Sequence, residues 1–112
     1  MQKTLEALDK VKSGFIFTNL VDTGMKYGHR RDIDGYAKAF AEFDSFIPGF
    51  IEGMDKDDVL MITADHGCDP ATPSTDHSRE YTPMLAYGSG IRHGVDLGTR
   101  KSFADISATV LE

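Results

Sequence analysis

Val59-Leu60-Met61-Ile62-Thr63-Ala64-Asp65-His66-Gly67 is the stretch from which the fold of this chain is read. Its first four residues are apolar, and the run turns polar at Thr63 before delivering an acid–imidazole pair, Asp65-His66. A short apolar run of this kind predicts a buried strand, and open α/β sheets gather ligands outside the carboxyl ends of their strands. A second pair, Asp76-His77, follows eleven residues after the first. Gly67, Pro70 and Pro73 lie between the pairs and exclude a continuous helix or a central strand there. The reading is a strand that runs into a rigid loop bearing a ligand cage. Mixed carboxylate and imidazole donors suit zinc, manganese or iron better than calcium or magnesium, which prefer oxygen-only shells.

Working outward, Gly53 and the acidic Asp55-Lys56-Asp57-Asp58 turn lead into this strand. Before them, Asp32 can cap a long helix whose apolar stripe is Tyr36, Phe40, Phe43, Ile47 and Phe50/Ile51. Pro48 is expected to kink or break that helix near its end. Upstream again, Asp22 to Asp32 reads as a polar loop, Gly14–Val21 as a strand, and Met1–Lys12 as an amphipathic helix closed by Ser13-Gly14. Downstream, Pro83–Tyr87 predicts a third short strand and Gly88-Ser89-Gly90 a turn. Ser102 with Asp105 resembles a capping box for a last helix carrying Phe103, Ile106 and Val110. The order α-β-α-β-β-α favours an α/β layered sheet. Three strands are a narrow sheet for so apolar a central run, so residues 1–112 read as a single partial domain. Gly14–Val21 and Val59–Ile62 are expected to lie parallel and adjacent. That would bring the Asp22…His29 loop to the sheet edge that carries Asp65, His66 and His77.

Composition sets the outer bounds. A chain of 112 residues with 40% hydrophobic and 27% charged residues is globular in character, not disordered. Its formal net charge of −6 argues against nucleic-acid binding, which rides on basic surface. The single cysteine, Cys68, excludes an intrachain disulfide and fits a reducing cytoplasm. No apolar run approaches the length of a membrane span. The candidate ligands also admit a purely structural account, with Asp65 capping a turn, His66 a hydrogen-bonded imidazole and Asp76 an Asx-turn residue. Cys68 reads as packing, His93 as a surface loop residue, and Arg30 and Arg31 as surface charges. Arg79 is the arginine best placed to steady a ligating carboxylate or phosphate.

Two segments go further. Residues 18–40, TNLVDTGMKYGHRRDIDGYAKAF, and residues 60–90, LMITADHGCDPATPSTDHSREYTPMLAYGSG, closely resemble the phosphopentomutase family of the alkaline phosphatase superfamily. The resemblance covers nearly the whole chain and corresponds to the C-terminal part of the family's core, without its cap domain. It implies a partial alkaline-phosphatase-like layered sheet with flanking helices. It also implies a cytoplasmic isomerase of nucleotide metabolism that interconverts ribose 1-phosphate and ribose 5-phosphate, and their deoxyribose counterparts. The family's site holds two metal ions, typically Mn2+. Carried over by motif, Asp65 and His66 hold one ion, and His29 and His77 the other. The family's nucleophilic threonine has no counterpart here, so no catalytic residue is assigned and the chain alone is expected to be inactive. The resemblance names a pentose phosphate as substrate and the remainder of the enzyme as partner. One departure stands out: the family places a metal-binding Asp five residues before the loop histidine, and here that position is Gly24. The competing expectation is a catalytically silent metal-binding or interaction domain on the same scaffold.

Overall fold

The chain opens with helix α1, Gln2–Lys10, and its longest element is helix α2, Ile33–Glu52. Strands β1, Leu60–Thr63, and β2, Met84–Tyr87, follow, and helix α3, Ala104–Leu111, comes last. This is a computed structural model and describes residues 1–111. A turn of π-helix, Thr23–Tyr27, runs directly into a 3-10 turn, Gly28–Arg30, just before α2.

The start of α2 is encoded as read. The Asp32 carboxylate accepts the Gly35 amide at 2.9 Å and satisfies one of the orphan donors of the first turn. Such a cap contributes about 1 kcal/mol. Pro48 does not break the helix, which runs through it to Glu52. Its ring removes one backbone donor, but the final turn is held by Phe50, the one large apolar side chain buried among the described residues. Phe46 packs on it with ring centroids 6.1 Å apart. At α3 only half of the expected capping box forms. Ser102 Oγ accepts the Ala104 amide at 3.1 Å, while Asp105 turns outward to Arg100 Nε at 2.6 Å.

The sheet differs from expectation. β1 pairs with β2 in antiparallel fashion, with Leu60 opposite Tyr87 and Thr63 opposite Met84. Gly14–Val21 is not a strand: residues 15–20 make no backbone hydrogen bond to another element among the described residues. Its aromatic, branched composition fits a strand, but a strand needs a neighbour to take up its ladder of donors and acceptors. Lacking one, the segment is extended, with Phe15 66% and Phe17 77% exposed. The expected parallel pair is therefore replaced by a two-stranded antiparallel sheet, and the fold is a mixed helix-and-strand one of the kind a partial α/β domain supplies.

The accessible surface is 8898 Å², against roughly 6,100 Å² for a compact monomer of this mass. Exposed large apolar side chains occur all along the chain, Phe15 and Phe17 among them. No helix among the described residues is long and apolar enough to cross a membrane.

Candidate metal centre

β1 and β2 are joined by the loop 64–83, which carries both acid–imidazole pairs. Its two arms are clamped at one point: Gly67 and Ser78 form an isolated antiparallel bridge, with the Ser78 amide donating to the Gly67 carbonyl at 3.1 Å. Gly67 is needed there, because a Cβ would fall 2.6 Å from the Glu80 carbonyl oxygen and 2.7 Å from that of Ser78. Across such a bridge, residues 66 and 77 become diagonal neighbours on the same side, within reach of aromatic rings. His66 and His77 are accordingly stacked, with centroids 3.8 Å apart and planes within 21°.

His29 arrives from the 3-10 turn ahead of α2. Its Nδ1 lies 2.8 Å from the Thr75 carbonyl oxygen, which ties this turn to the second arm of the loop. Its ring centroid is 5.2 Å from that of His77 and 5.9 Å from that of His66. Gly28 makes the approach possible. It is buried, and a Cβ there would lie 2.5 Å from Cys68 Sγ. Tyr36 of α2 completes the junction by donating its hydroxyl to the Cys68 carbonyl at 3.0 Å.

Two of the three tautomers follow from the partners. A carbonyl oxygen can only accept, so Nδ1 of His29 carries a proton toward Thr75, and Nδ1 of His66 one toward the Gly67 carbonyl at 2.9 Å. In the neutral form each ring then presents Nε2 as its lone-pair nitrogen, held by the carbonyl contact that orients metal-ligating histidines. One ligand nitrogen from each of His29, His66 and His77 can be chosen so that all lie within 4.8 Å of one another. The donor chemistry fits a metal.

The carboxylates behave differently. Asp65 is 85% exposed and lies outside the imidazole cluster, its Oδ1 3.6 Å from His66 Nε2. Asp76 accepts its neighbour's amide, that of His77, at 3.2 Å. Asp22 pairs with Lys26 at 2.7 Å, and that contact raises the lysine pKa. Gly24 sits in the π turn with a φ outside the positive range and open space around its missing Cβ.

Cys68 is not among the residues whose ligand atoms cluster, which are His29, His66 and His77. Burial raises its thiol pKa, and the Asp69 and Glu80 carboxylates push it the same way. The arginines singled out from the sequence, Arg30, Arg31 and Arg79, form none of the ion pairs among the described residues. His93 is exposed in the loop after β2, as expected. The Thr75 and Gly67 carbonyls, which fix the imidazoles, carry no side-chain signal that a sequence reading could have found.

A strand-end loop with clustered imidazoles of this kind can hold a metal ion. The model of the Metalloenzyme superfamily matches residues 1–112, and the chain belongs to that superfamily. Within it the similarity is to phosphopentomutases. The chain is 58% identical over 112 residues to the phosphopentomutase of Lachnoclostridium phytofermentans, 60% over 112 residues to that of Clostridium kluyveri, and 55% over 109 residues to that of Caldanaerobacter subterraneus. These alignments take in 97–100% of this chain but only 28–29% of each relative. The chain thus spans a little over a quarter of the length of the curated relatives it matches.

Proposed function

We propose that this chain is the metal-binding segment of a phosphopentomutase, a cytoplasmic isomerase of nucleotide metabolism that moves a phosphoryl group between positions 1 and 5 of ribose or deoxyribose. The stacked His66/His77 pair with His29 beside it is the observation that carries this reading, in a chain similar along its whole length to phosphopentomutases. Two nearly parallel imidazoles cannot both aim in-plane lone pairs at a single ion. Rings stacked in this way would each serve a separate ion, which is the arrangement a two-metal phosphoryl-transfer site requires. In this reading Asp65 and His66 hold one ion and His29 and His77 the other, manganese in the complete enzyme. Such a pair of cations offsets charge on a transferring phosphoryl group.

What the chain's own residues contribute is orientation. The Thr75 and Gly67 carbonyls fix two rings, and the Gly67–Ser78 bridge fixes the spacing of the third. The nucleophile, the sugar-selecting cap and further strands of a layered sheet belong to the remainder of the enzyme, with which this segment partners. The exposed Phe15 and Phe17 support that partnership. Positioning supplies most of phosphoryl-transfer catalysis, so half a site loses most of it.

The test has two arms. The chain is titrated with Mn2+ by calorimetry, and its conversion of ribose 1-phosphate to ribose 5-phosphate is assayed against a buffer-plus-manganese control. Saturable binding that His66→Ala weakens, with no turnover above control, is expected. Absence of saturable binding to a folded chain would refute the metal-binding role, and turnover well above control would refute the division of labour.

A further inference from the structure

We infer that the two metal positions differ in selectivity: Asp65/His66 takes an oxygen-preferring ion such as Mn2+, and His29/His77 a nitrogen-preferring ion such as Zn2+. This rests on the metal-binding role proposed above and concerns which ion each half of the cluster prefers.

At the first position an anionic oxygen and a nitrogen already face each other. With His66 Nδ1 donating to the Gly67 carbonyl, its Nε2 is bare in the neutral ring, and Asp65 Oδ1 stands 3.6 Å away. Two lone-pair donors at that distance repel unless a proton or a cation lies between them. The gap is within the span one ion can bridge, since metal–ligand distances of about 2.0–2.2 Å allow donors up to roughly 4 Å apart. The set is one carboxylate with one imidazole, and the 85% exposure of Asp65 leaves room for water oxygens. Oxygen-rich shells suit manganese.

At the second position no carboxylate among the described residues joins the imidazole cluster. Asp22 is held by Lys26, Asp76 by the His77 amide, and Asp65 lies on the His66 side. Residue 24, on the turn that leads to His29, is a glycine. Two neutral imidazoles remain, one of them pre-oriented by the Thr75 carbonyl. Neutral nitrogen donors suit zinc, copper and nickel better than manganese, which gains most from anionic oxygen.

The deciding experiment gives the whole chain one equivalent of Zn2+ together with Mn2+ in large excess, since zinc outranks manganese in raw affinity at most nitrogen–oxygen sites, and measures bound metal by elemental analysis after gel filtration in the manganese buffer. Calorimetric titrations with each ion, and manganese EPR, accompany it. One Mn2+ and one Zn2+ per chain are expected, with an EPR signal free of manganese–manganese coupling. His29→Gln should weaken zinc by about tenfold or more and leave manganese within about twofold, while Asp65→Asn should do the reverse. Circular dichroism checks that both variants fold, and the unmodified chain decides the stoichiometry without them. Two coupled manganese ions per chain, or equal loss of both metals in either variant, would overturn the selectivity while leaving metal binding intact. If neither ion bound, the proposed function itself would fall along with the selectivity.

Discussion

Gly28→Ala tests whether the site depends on the contact between the His29 turn and Cys68. Gly28 has φ −58°, so alanine carries no backbone penalty and any effect is steric. The new Cβ would sit 2.5 Å from Cys68 Sγ, where non-bonded atoms prefer about 3.5–4.0 Å, an overlap of roughly 1 Å or more. Sideways escape is limited, with the Thr23 carbonyl oxygen 3.3 Å and Tyr36 Cε2 3.4 Å from the same point. Either the thiol swings away or the 3-10 turn moves. A shift of about 1 Å in the turn would stretch the 2.8 Å contact between His29 and Thr75 past hydrogen-bonding length. Overpacking of this kind costs about 1–3 kcal/mol, and freeing His29 should weaken a metal bound there by about tenfold or more. The assay is a double-mutant cycle with Cys68→Ala, reading urea unfolding and zinc affinity. Removing Sγ should recover at least half of both losses, because the sulfur is the atom struck. Unchanged stability and affinity in Gly28→Ala, or losses in Gly28→Ala/Cys68→Ala that simply add, would refute the role given to this contact.

Three further outcomes are expected. Gly67→Ala should destabilise the chain by more than Gly28→Ala, with no side-chain truncation able to rescue it, because every atom within 2.8 Å of the new Cβ is backbone; thermal unfolding of the single and paired variants checks this. Gly24→Asp should fold normally, since its φ is ordinary and its surroundings are open, and should tighten Mn2+ about tenfold in a calorimetric titration by supplying an oxygen donor to the turn that carries His29. Burial and neighbouring carboxylates raise the Cys68 thiol above 9.0, and burial raises the Tyr36 hydroxyl above 10.0, so both favour the neutral form in the folded chain. Their contribution to stability is complete below those unfolded values and is lost as pH climbs through the raised folded ones. Urea midpoints from pH 8 to 11 should therefore fall at the alkaline end, less steeply in Cys68→Ala.

Some of this was legible in the sequence and some was not, for identifiable reasons. Asp32 announced its helix because a cap is a local device that needs only the amide of Gly35, three residues on. β1 and β2 were legible as apolar runs bounded by turn residues. Their antiparallel pairing was not, since an apolar run records that a segment is to be covered and is silent about which neighbour covers it. Gly14–Val21 shows the same gap in reverse. Its composition is that of a strand, yet among the described residues nothing pairs with its backbone, and Phe15 and Phe17 are left exposed. Pro48 was overread because a lost hydrogen bond one turn from a helix end is outweighed when Phe50 beyond it is buried.

The site divides along the same line. His29, His66 and His77 stood out because each follows Asp or Gly in a polar loop beside an apolar run, a pattern visible in the chain itself. What makes them a cluster is carried by groups that every residue possesses: the Thr75 and Gly67 carbonyls and the Ser78 amide. Backbone leaves a trace only where it forbids a side chain, as the Ser78 and Glu80 carbonyls do at Gly67. Gly28 leaves its trace against the Cys68 thiol. The two glycines were thus the sequence's only record of the contacts that bring the imidazoles together. Asp65 shows the opposite limit. Its place beside His66 was plain from the motif, but a carboxylate 85% exposed is not fixed by packing. An ion between Asp65 Oδ1 and His66 Nε2 would supply the missing restraint, so metal binding should order this carboxylate more than any of the three imidazoles.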